Sequence, residues 1–433
     1  MVPAVFSGKW LGESAGKLMS VVSVVVFLVL DFLDTLFCIL YGILDEYFEG
    51  DASPCYCGKR RRELIHDGEG KLEGEMSETL YARKNVFREM GFLGFPRKRK
   101  DSKKRGGGVE VNRWSECGCE SCVSWMKKGD QKLHVIVREP SKVLCLTAMI
   151  EDCRGKPAEN VIFLHGFLSS SSFWTETVFP NLSDHNYRLF AVDLLGFGRS
   201  PKPRDCSYTL NNHVQMIEKS VSRPFQLDSF HLVAHSMGCI IALALAAKYS
   251  NSVKSITLVA PPYFGPSKDG ESLMVLNKVA GRRLWPPLSF GSSFMSWYEH
   301  LGRCVCFLFC RNHRTWEKML RLLTWKRDLH FTIMDLSRHT HHSAWHTMHN
   351  VICGGAKVVD GCLTVLAEAG VKMCVVHGDG DQVVPLECSK NIKMKAPEAE
   401  VNVIKNGDHG SVIHGREKEF AGSLERTWAS ISR

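Results

Sequence analysis

No histidine in this chain is followed by glutamate, so it lacks the H-E-x-x-H helix signature of zinc hydrolases. Its basic runs come without any nucleic-acid-binding module, which removes nucleic acid as an expected partner. Near its N-terminus it also lacks a charge-free apolar stretch of about 20 residues, the length that crosses a bilayer unaided. The cleanest run there, Leu18–Leu30, meets Asp31, and the apolar pattern continues past Asp34 only as far as Leu44.

What is present is the composition of a globular protein, 44% hydrophobic and 23% charged over 433 residues, long enough for a large core. The net charge of +9 is concentrated in Lys59–Arg62 and Arg97–Arg105, both ahead of the periodic part of the chain. Such runs read as solvated linker or as contacts for anionic headgroups or a wall polyanion. Seventeen cysteines are many for a cytosolic enzyme, and six fall in the first 125 residues: Cys38, Cys55, Cys57, Cys117, Cys119 and Cys122. Disulfides in an oxidising compartment, free or lipidated thiols, and metal binding are the three readings. The C-x-C and C-x-C-x-x-C halves stand about sixty residues apart and no histidine joins them at ligand spacing, so no metal centre and no cofactor are expected.

Five segments follow from the pattern. Residues 1–48 read as a signal peptide or signal-anchor, with Lys9 and Lys17 before the apolar run; the competing reading is a buried amphipathic helix with Asp31 and Asp34 on one face. Residues 49–128 carry the basic runs, no sustained periodicity and Gly106-Gly107-Gly108, and read as a cysteine-bearing linker or stem. From 129 to 262 strands alternate with helices. Leu133–Val137 and Val143–Met149 suggest paired strands; Val161–Leu164, Tyr187–Val192 and Val253–Val259 are apolar strands; helices are expected from about Thr175 and over Leu210–Ser222. Residues 263–370 break that rhythm with helical, aromatic sequence that includes Trp285, Trp297, Trp316, Trp325 and Trp345, as a lid inserted between sheet halves would. His339, His342, His346 and His349 form one helical stripe there, read as a polar or pocket-facing side. From 371 to 433 the sheet resumes with Val371–Val376 and Glu400–Ile404, and a closing helix covers about Arg416–Trp428. This is an α/β chain with a doubly wound, mostly parallel sheet, whose function sits at the carboxyl ends of its strands.

One stretch organises the rest. Phe230–Tyr249 runs from a buried strand through Ala234-His235-Ser236-Met237-Gly238 into a helix of Ala and Leu. A serine in so sharp a turn needs small residues two positions to either side, and Ala234 and Gly238 supply them; Ala234 is one methyl more than the usual glycine. A serine hydroxyl also needs a base and a group to orient that base. Asp381 and His409 follow at later strand ends, in the order Ser236, Asp381, His409. Asp379 and His414 are their nearest competitors. The oxyanion of an acyl-transfer intermediate needs N–H donors, for which the amides of Met237 and Phe167 are positioned, and His165, Gly166 and His235 beside them are expected to contact substrate.

The motifs HGFLSSSSFW, DLLGFGRS, AHSMG, GDGDQVVP and GDHG, in register over 161–433, resemble the α/β-hydrolase superfamily. The hydrophobic N-terminus, basic cysteine-bearing stem, AHSMG elbow and HTHHSAWHTMHN helix together resemble the plant BODYGUARD group, whose members are described as lysophospholipases or cutin-forming acyltransferases of the epidermal wall. That resemblance implies an α/β-hydrolase fold with a helical cap, a serine acyl hydrolase or transacylase on lipid or long-chain acyl esters, a role in cuticle (cutin or suberin) formation, and a membrane-tethered or secreted, wall-facing location. It implies Ser236, Asp381 and His409 as catalytic residues. The alternative is a slow or non-catalytic binding protein on the same scaffold.

Overall fold

A computed structural model describes residues 8–50, 56, 76–81, 83–90, 113–124, 131–140, 158–183, 187–266 and 270–431. Seven strands, β1 (Val135–Arg138), β2 (Glu159–Leu164), β3 (Tyr187–Val192), β4 (Phe230–His235), β5 (Val253–Val259), β6 (Lys372–Gly378) and β7 (Glu400–Ile404), form one sheet in the order β1-β3-β2-β4-β5-β6-β7. All neighbours are parallel except β1 and β3. The central strands are mostly apolar because both faces are covered, with a few buried polar positions such as His231, Ser255 and Thr257. Ile162, Leu164, Leu232, Ala234, Ile256 and Leu258 face one helical layer, and Val161, Phe163, Val233 and Val259 face the other with Trp174 and Trp428.

Two local expectations change. Val135–Arg138 pairs with the edge of β3, with Val137 opposite Phe190, and the expected partner 143–149 lies outside the described residues. Alternation along a strand reports its faces and is silent about a partner fifty residues away. The helix expected from Thr175 is a single turn, Ser172–Thr175, followed by a 3₁₀ turn at Phe179–Asn181 that holds Pro180 in its first turn.

The helices that matter for the site are α1 (Gly8–Glu49), α2 (Leu210–Ile217), α3 (Met237–Lys248), α4 (Glu271–Ala280), α5 (Pro287–Trp297), α6 (Glu299–Phe309), α7 (His313–Thr324), α8 (Phe331–Asp335), α9 (His341–Thr347), α10 (Ala356–Glu368), α11 (Glu387–Lys395) and α12 (Glu417–Ile431). Helices α4 to α9 lie between β5 and β6 and make the cap, while α10 packs back onto α3 beside the sheet.

Helix α1 is long and apolar enough from Met19 to Glu49 to cross a membrane, yet Asp31, Asp34 and Asp45 are buried against the stem and the cap. Asp31 pairs with Arg282 at 3.1 Å, Asp34 with Arg88 at 2.5 Å, and Asp45 receives both arms of Arg303 at 2.6 and 2.8 Å. Phe27 packs with Tyr298 and Leu301. The opposite face leaves Val21, Val24, Val25, Leu28 and Val29 exposed. The segment is amphipathic, with its acids on one face and its apolar face turned outward.

Pieces of the stem are docked rather than free. The Ser77 amide donates to Asn350 Oδ1 at 2.9 Å, His349 Nδ1 meets Thr79 Oγ1 at 2.9 Å, Arg83 pairs with Glu299 at 2.8 Å, and Trp114 Nε1 donates to Asp45 Oδ1 at 2.8 Å. Most of the histidine stripe faces such packing contacts, while His339 lines a cavity with Cys306 and Cys310. His339, His346 and His349 are buried, and His342 Nε2 is 2.9 Å from the Cys206 carbonyl. Burial pushes His346 down to about 4 and holds His342 and His349 well below the usual imidazole range, so these three are neutral packing.

Candidate active site

The turn between β4 and α3 carries Ser236 at φ 51° and ψ −121°, left-handed backbone that a non-glycine residue adopts only when its surroundings impose it. The surroundings are visible. The Ser236 amide donates to the Val259 carbonyl at 2.8 Å, which prolongs the β4–β5 ladder to the serine itself. A Cβ on Gly238 would lie 2.6 Å from the His165 carbonyl oxygen and 2.8 Å from that of Leu164. Glycine is thus required at that position by backbone on the neighbouring strand. Ala234 lies within β4, fully buried, and its methyl belongs to the core. The departure from glycine at 234 has no steric consequence. Ser236 is partly exposed at the carboxyl edge of the sheet.

Asp381 and His409 meet at the same edge. His409 Nδ1 lies 2.7 Å from Asp381 Oδ2. The other oxygen, Oδ1, accepts the amides of Val383 at 2.8 Å and Val384 at 2.9 Å. Burial would raise the Asp381 pKa, but hydrogen bonds from His377 and His409 and the Val384 amide outweigh it and hold the carboxyl well below its usual range. The loops that carry the pair approach closely: a Cβ on Gly378 would sit 2.1 Å from the Gly407 carbonyl oxygen, and the Gly380 amide donates to that oxygen at 2.9 Å. The two competitors are engaged elsewhere. Asp379 Oδ1 accepts the Asn406 amide at 2.6 Å, and the His414 ring packs against Phe173 and Phe331.

The residues expected to touch substrate divide. Gly166 lies against the elbow, its Cβ position 2.9 Å from His235 Nδ1 and 3.3 Å from Ser236 Cβ. His165 is fully buried: its Nδ1 donates to the Gly166 carbonyl at 2.7 Å and its Nε2 accepts the Leu194 amide at 2.9 Å. Both nitrogens are spent on main chain, so His165 holds the loop in shape. His235 is buried under Phe173, with ring centroids 4.9 Å apart, and its Nε2 donates to the His409 carbonyl at 3.0 Å. Burial, then the neighbouring His409, pushes its pKa down to about 3. A neutral His235 is a strut under the His409 loop. Phe167 follows Gly166 and its ring packs on Phe197 with centroids 5.7 Å apart, and Met237 opens α3 directly after Ser236.

Residues 159–286 match the alpha/beta hydrolase fold family. The chain is 53% identical over 414 residues to "Probable lysophospholipase BODYGUARD 4" of Arabidopsis thaliana, covering 94% of this chain and 96% of that protein. It is 51% identical to "Probable lysophospholipase BODYGUARD 5" and 40% identical to "Probable lysophospholipase BODYGUARD 1" of the same plant, each over 94% of this chain and 94% and 95% of theirs. The chain belongs to the BODYGUARD family. As a BODYGUARD-family protein it is a serine hydrolase of the α/β-hydrolase fold.

Some parts of this BODYGUARD-family site carry no sequence signal. His377 is fully buried, its Nδ1 2.6 Å from Ser389 Oγ and its Nε2 2.9 Å from the Val384 carbonyl, with Asp381 Oδ2 at 3.4 Å. It braces the carboxylate from behind. Ser170, in the loop after β2, donates to Asp335 Oδ2 of cap helix α8 at 2.8 Å. Burial pushes Asp335 up to about 7. The absence of a metal centre was expected because no histidine joins the cysteines along the chain; in three dimensions His313 of α7 stands against Cys117, Cys119 and Cys122. The only advance hint was the half-set C-x-C-x-x-C.

Proposed function

We propose that the chain hydrolyses acyl esters of lysophospholipid-type lipids with Ser236 as nucleophile, His409 as base and Asp381 as the group that orients it. The single observation that carries the reading is the His409 Nδ1 to Asp381 Oδ2 hydrogen bond of 2.7 Å beside a serine held at φ 51°. With Nδ1–H donated to a carboxylate, the lone pair of Nε2 is left to take the Ser236 proton. Oγ attacks the acyl carbon, the amides of Met237 and Phe167 receive the oxyanion, and His409 returns the proton to the departing alcohol oxygen. An acyl-serine remains. Water, deprotonated by His409, releases the fatty acid; a hydroxyl acceptor in place of water gives the transacylase reaction that cutin formation in the epidermal wall would use. The relatives' printed name, lysophospholipase, supports the lipid ester as substrate.

We place the enzyme at a membrane or wall surface. The exposed apolar face of α1 supports this, as do Leu322, Leu323 and Trp325 of the cap, which are 76%, 69% and 94% exposed. The test is fatty-acid release from lysophosphatidylcholine in mixed vesicles by the detergent-purified full chain, with and without a cutin-monomer alcohol. Release that Ser236→Ala abolishes supports the reading, and ester formation with the alcohol supports the transacylase branch. Equal release by Ser236→Ala overturns it.

A further inference from the structure

We propose that Cys117, Cys119, Cys122 and His313 form a tetrahedral zinc site that fastens residues 113–124 of the stem to the cap. The four ligand atoms lie within 4.8 Å of one another. Cys119 Sγ and Cys122 Sγ are each 3.5 Å from His313 Nε2. In a tetrahedral site with Zn–S near 2.3 Å and Zn–N near 2.0 Å, neighbouring ligand atoms stand about 3.5–3.8 Å apart. The two cysteine–histidine distances match a coordination shell, and the 4.8 Å bound on the remaining pairs leaves a small inward closure for an ion to make.

The groups that touch the four ligands agree. His313 Nδ1 lies 3.0 Å from Glu317 Oε1, one helical turn along α7, and both side chains are largely buried. A carboxylate on Nδ1 fixes the tautomer that leaves the Nε2 lone pair for a metal, the usual partner of a metal-bound histidine. The Cys119 amide points at Cys117 Sγ at 3.5 Å, as backbone N–H groups do around thiolate ligands. Three thiolates and an imidazole around Zn²⁺ carry a net charge of −1, and the cavity beside the site is lined by Lys202, Arg311 and Arg338 against one acid, Glu116. Thiolate and imidazole donors select zinc over magnesium or calcium. A disulfide would use two of the three cysteines and give His313–Glu317 no role.

The position explains the purpose. Trp114 and Ser115, just before the cysteines, bind Asp45 of α1 and Arg303 of α6. An ion a few residues later would pin this segment to α7, so that the N-terminal helix, the stem and the cap move as one body. Cys306, Cys310 and His339 face the same cavity from the cap side, with Cys310 Sγ 3.5 Å from His339 Nε2. They supply three donors for a neighbouring ion.

The test uses the full chain, purified in detergent without a polyhistidine tag and dialysed against a weak chelator, with zinc measured by mass spectrometry. We expect about one zinc per chain, lost in Cys119→Ser and in His313→Gln and kept in Cys362→Ser. A content of two, of which His313→Gln removes one and Cys310→Ser the other, supports the site and assigns the second ion to the neighbouring trio. Because either variant can fold poorly, cobalt exchange into the wild type is the second measurement: thiolate-to-cobalt charge transfer with tetrahedral d–d bands is expected. A metal-free wild type, zinc indifferent to both variants, or a disulfide among Cys117, Cys119 and Cys122 in the native protein overturns the proposal.

Discussion

His409 Nδ1 and Asp381 Oδ2 are 2.7 Å apart, although their residues stand 28 positions apart on loops from neighbouring strands. The remaining oxygen of Asp381 is fully occupied by two amides, and His377 stands behind the carboxylate. Orientation of the imidazole therefore depends on a carboxylate that has no freedom to turn.

Asp381→Asn preserves this shape and removes the acceptor. A carboxamide turned to offer its N–H to Nδ1 stabilises the wrong tautomer of His409. We expect kcat to fall on the order of 10³–10⁴-fold with KM little changed. Steady-state kinetics on a soluble acyl ester reads the split; a fall in kcat below tenfold would remove Asp381 from its role.

The two small residues around Ser236 are not equivalent. Gly238→Ala drives a Cβ into the carbonyls of His165 and Leu164 and should cost about 1–3 kcal/mol in urea unfolding while also displacing the Met237 amide. Ala234→Gly should leave kcat within a few-fold of wild type, since its methyl only fills the core. Equal effects from both would contradict the geometry.

Asp335, raised to about 7 by burial, makes the cap's attachment depend on pH. The folded protein holds a proton that the unfolded chain, with an ordinary carboxyl, gives up near pH 4. Stability from this group is complete below pH 4, declines as pH rises, and is gone once pH passes about 7. Asp335→Asn should unfold with a flatter pH dependence between 4 and 7. A slope equal to that of wild type over that range would exclude Asp335 as its source.

Arg303 and Asp45 are both nearly buried, the side chains 8% and 2% exposed. Removing one partner leaves the other charge unpaired, which costs about 3–5 kcal/mol. Arg303→Leu should therefore lower stability sharply, and Asp45→Leu added to it should recover most of the loss, measured by urea unfolding in detergent. Additive losses would mean that α1 does not depend on this contact.

The central strands were legible because they are parallel and buried on both faces. Tyr187–Val192, Val253–Val259 and Glu400–Ile404 are bounded in the sequence where they are bounded in the structure. The elbow was legible for a steric reason, since only a small residue fits at Gly238. What the sequence withheld are contacts between distant segments. Nothing near Leu133 names β3 as its partner. Nothing in the polarity of His165 shows that both nitrogens are spent on the chain. His313 is separated from Cys122 by 191 residues, so no spacing rule unites them. Asp31 and Asp34 looked like interruptions of an apolar helix because their arginine partners lie elsewhere in the chain.

The most direct test of the account is labelling of the detergent-purified full chain by a fluorophosphonate probe, followed by peptide mapping. The account predicts one modified serine, Ser236, loss of labelling in Ser236→Ala, and loss of esterase activity in step with labelling. Label on another serine, or activity that survives full modification of Ser236, would contradict it.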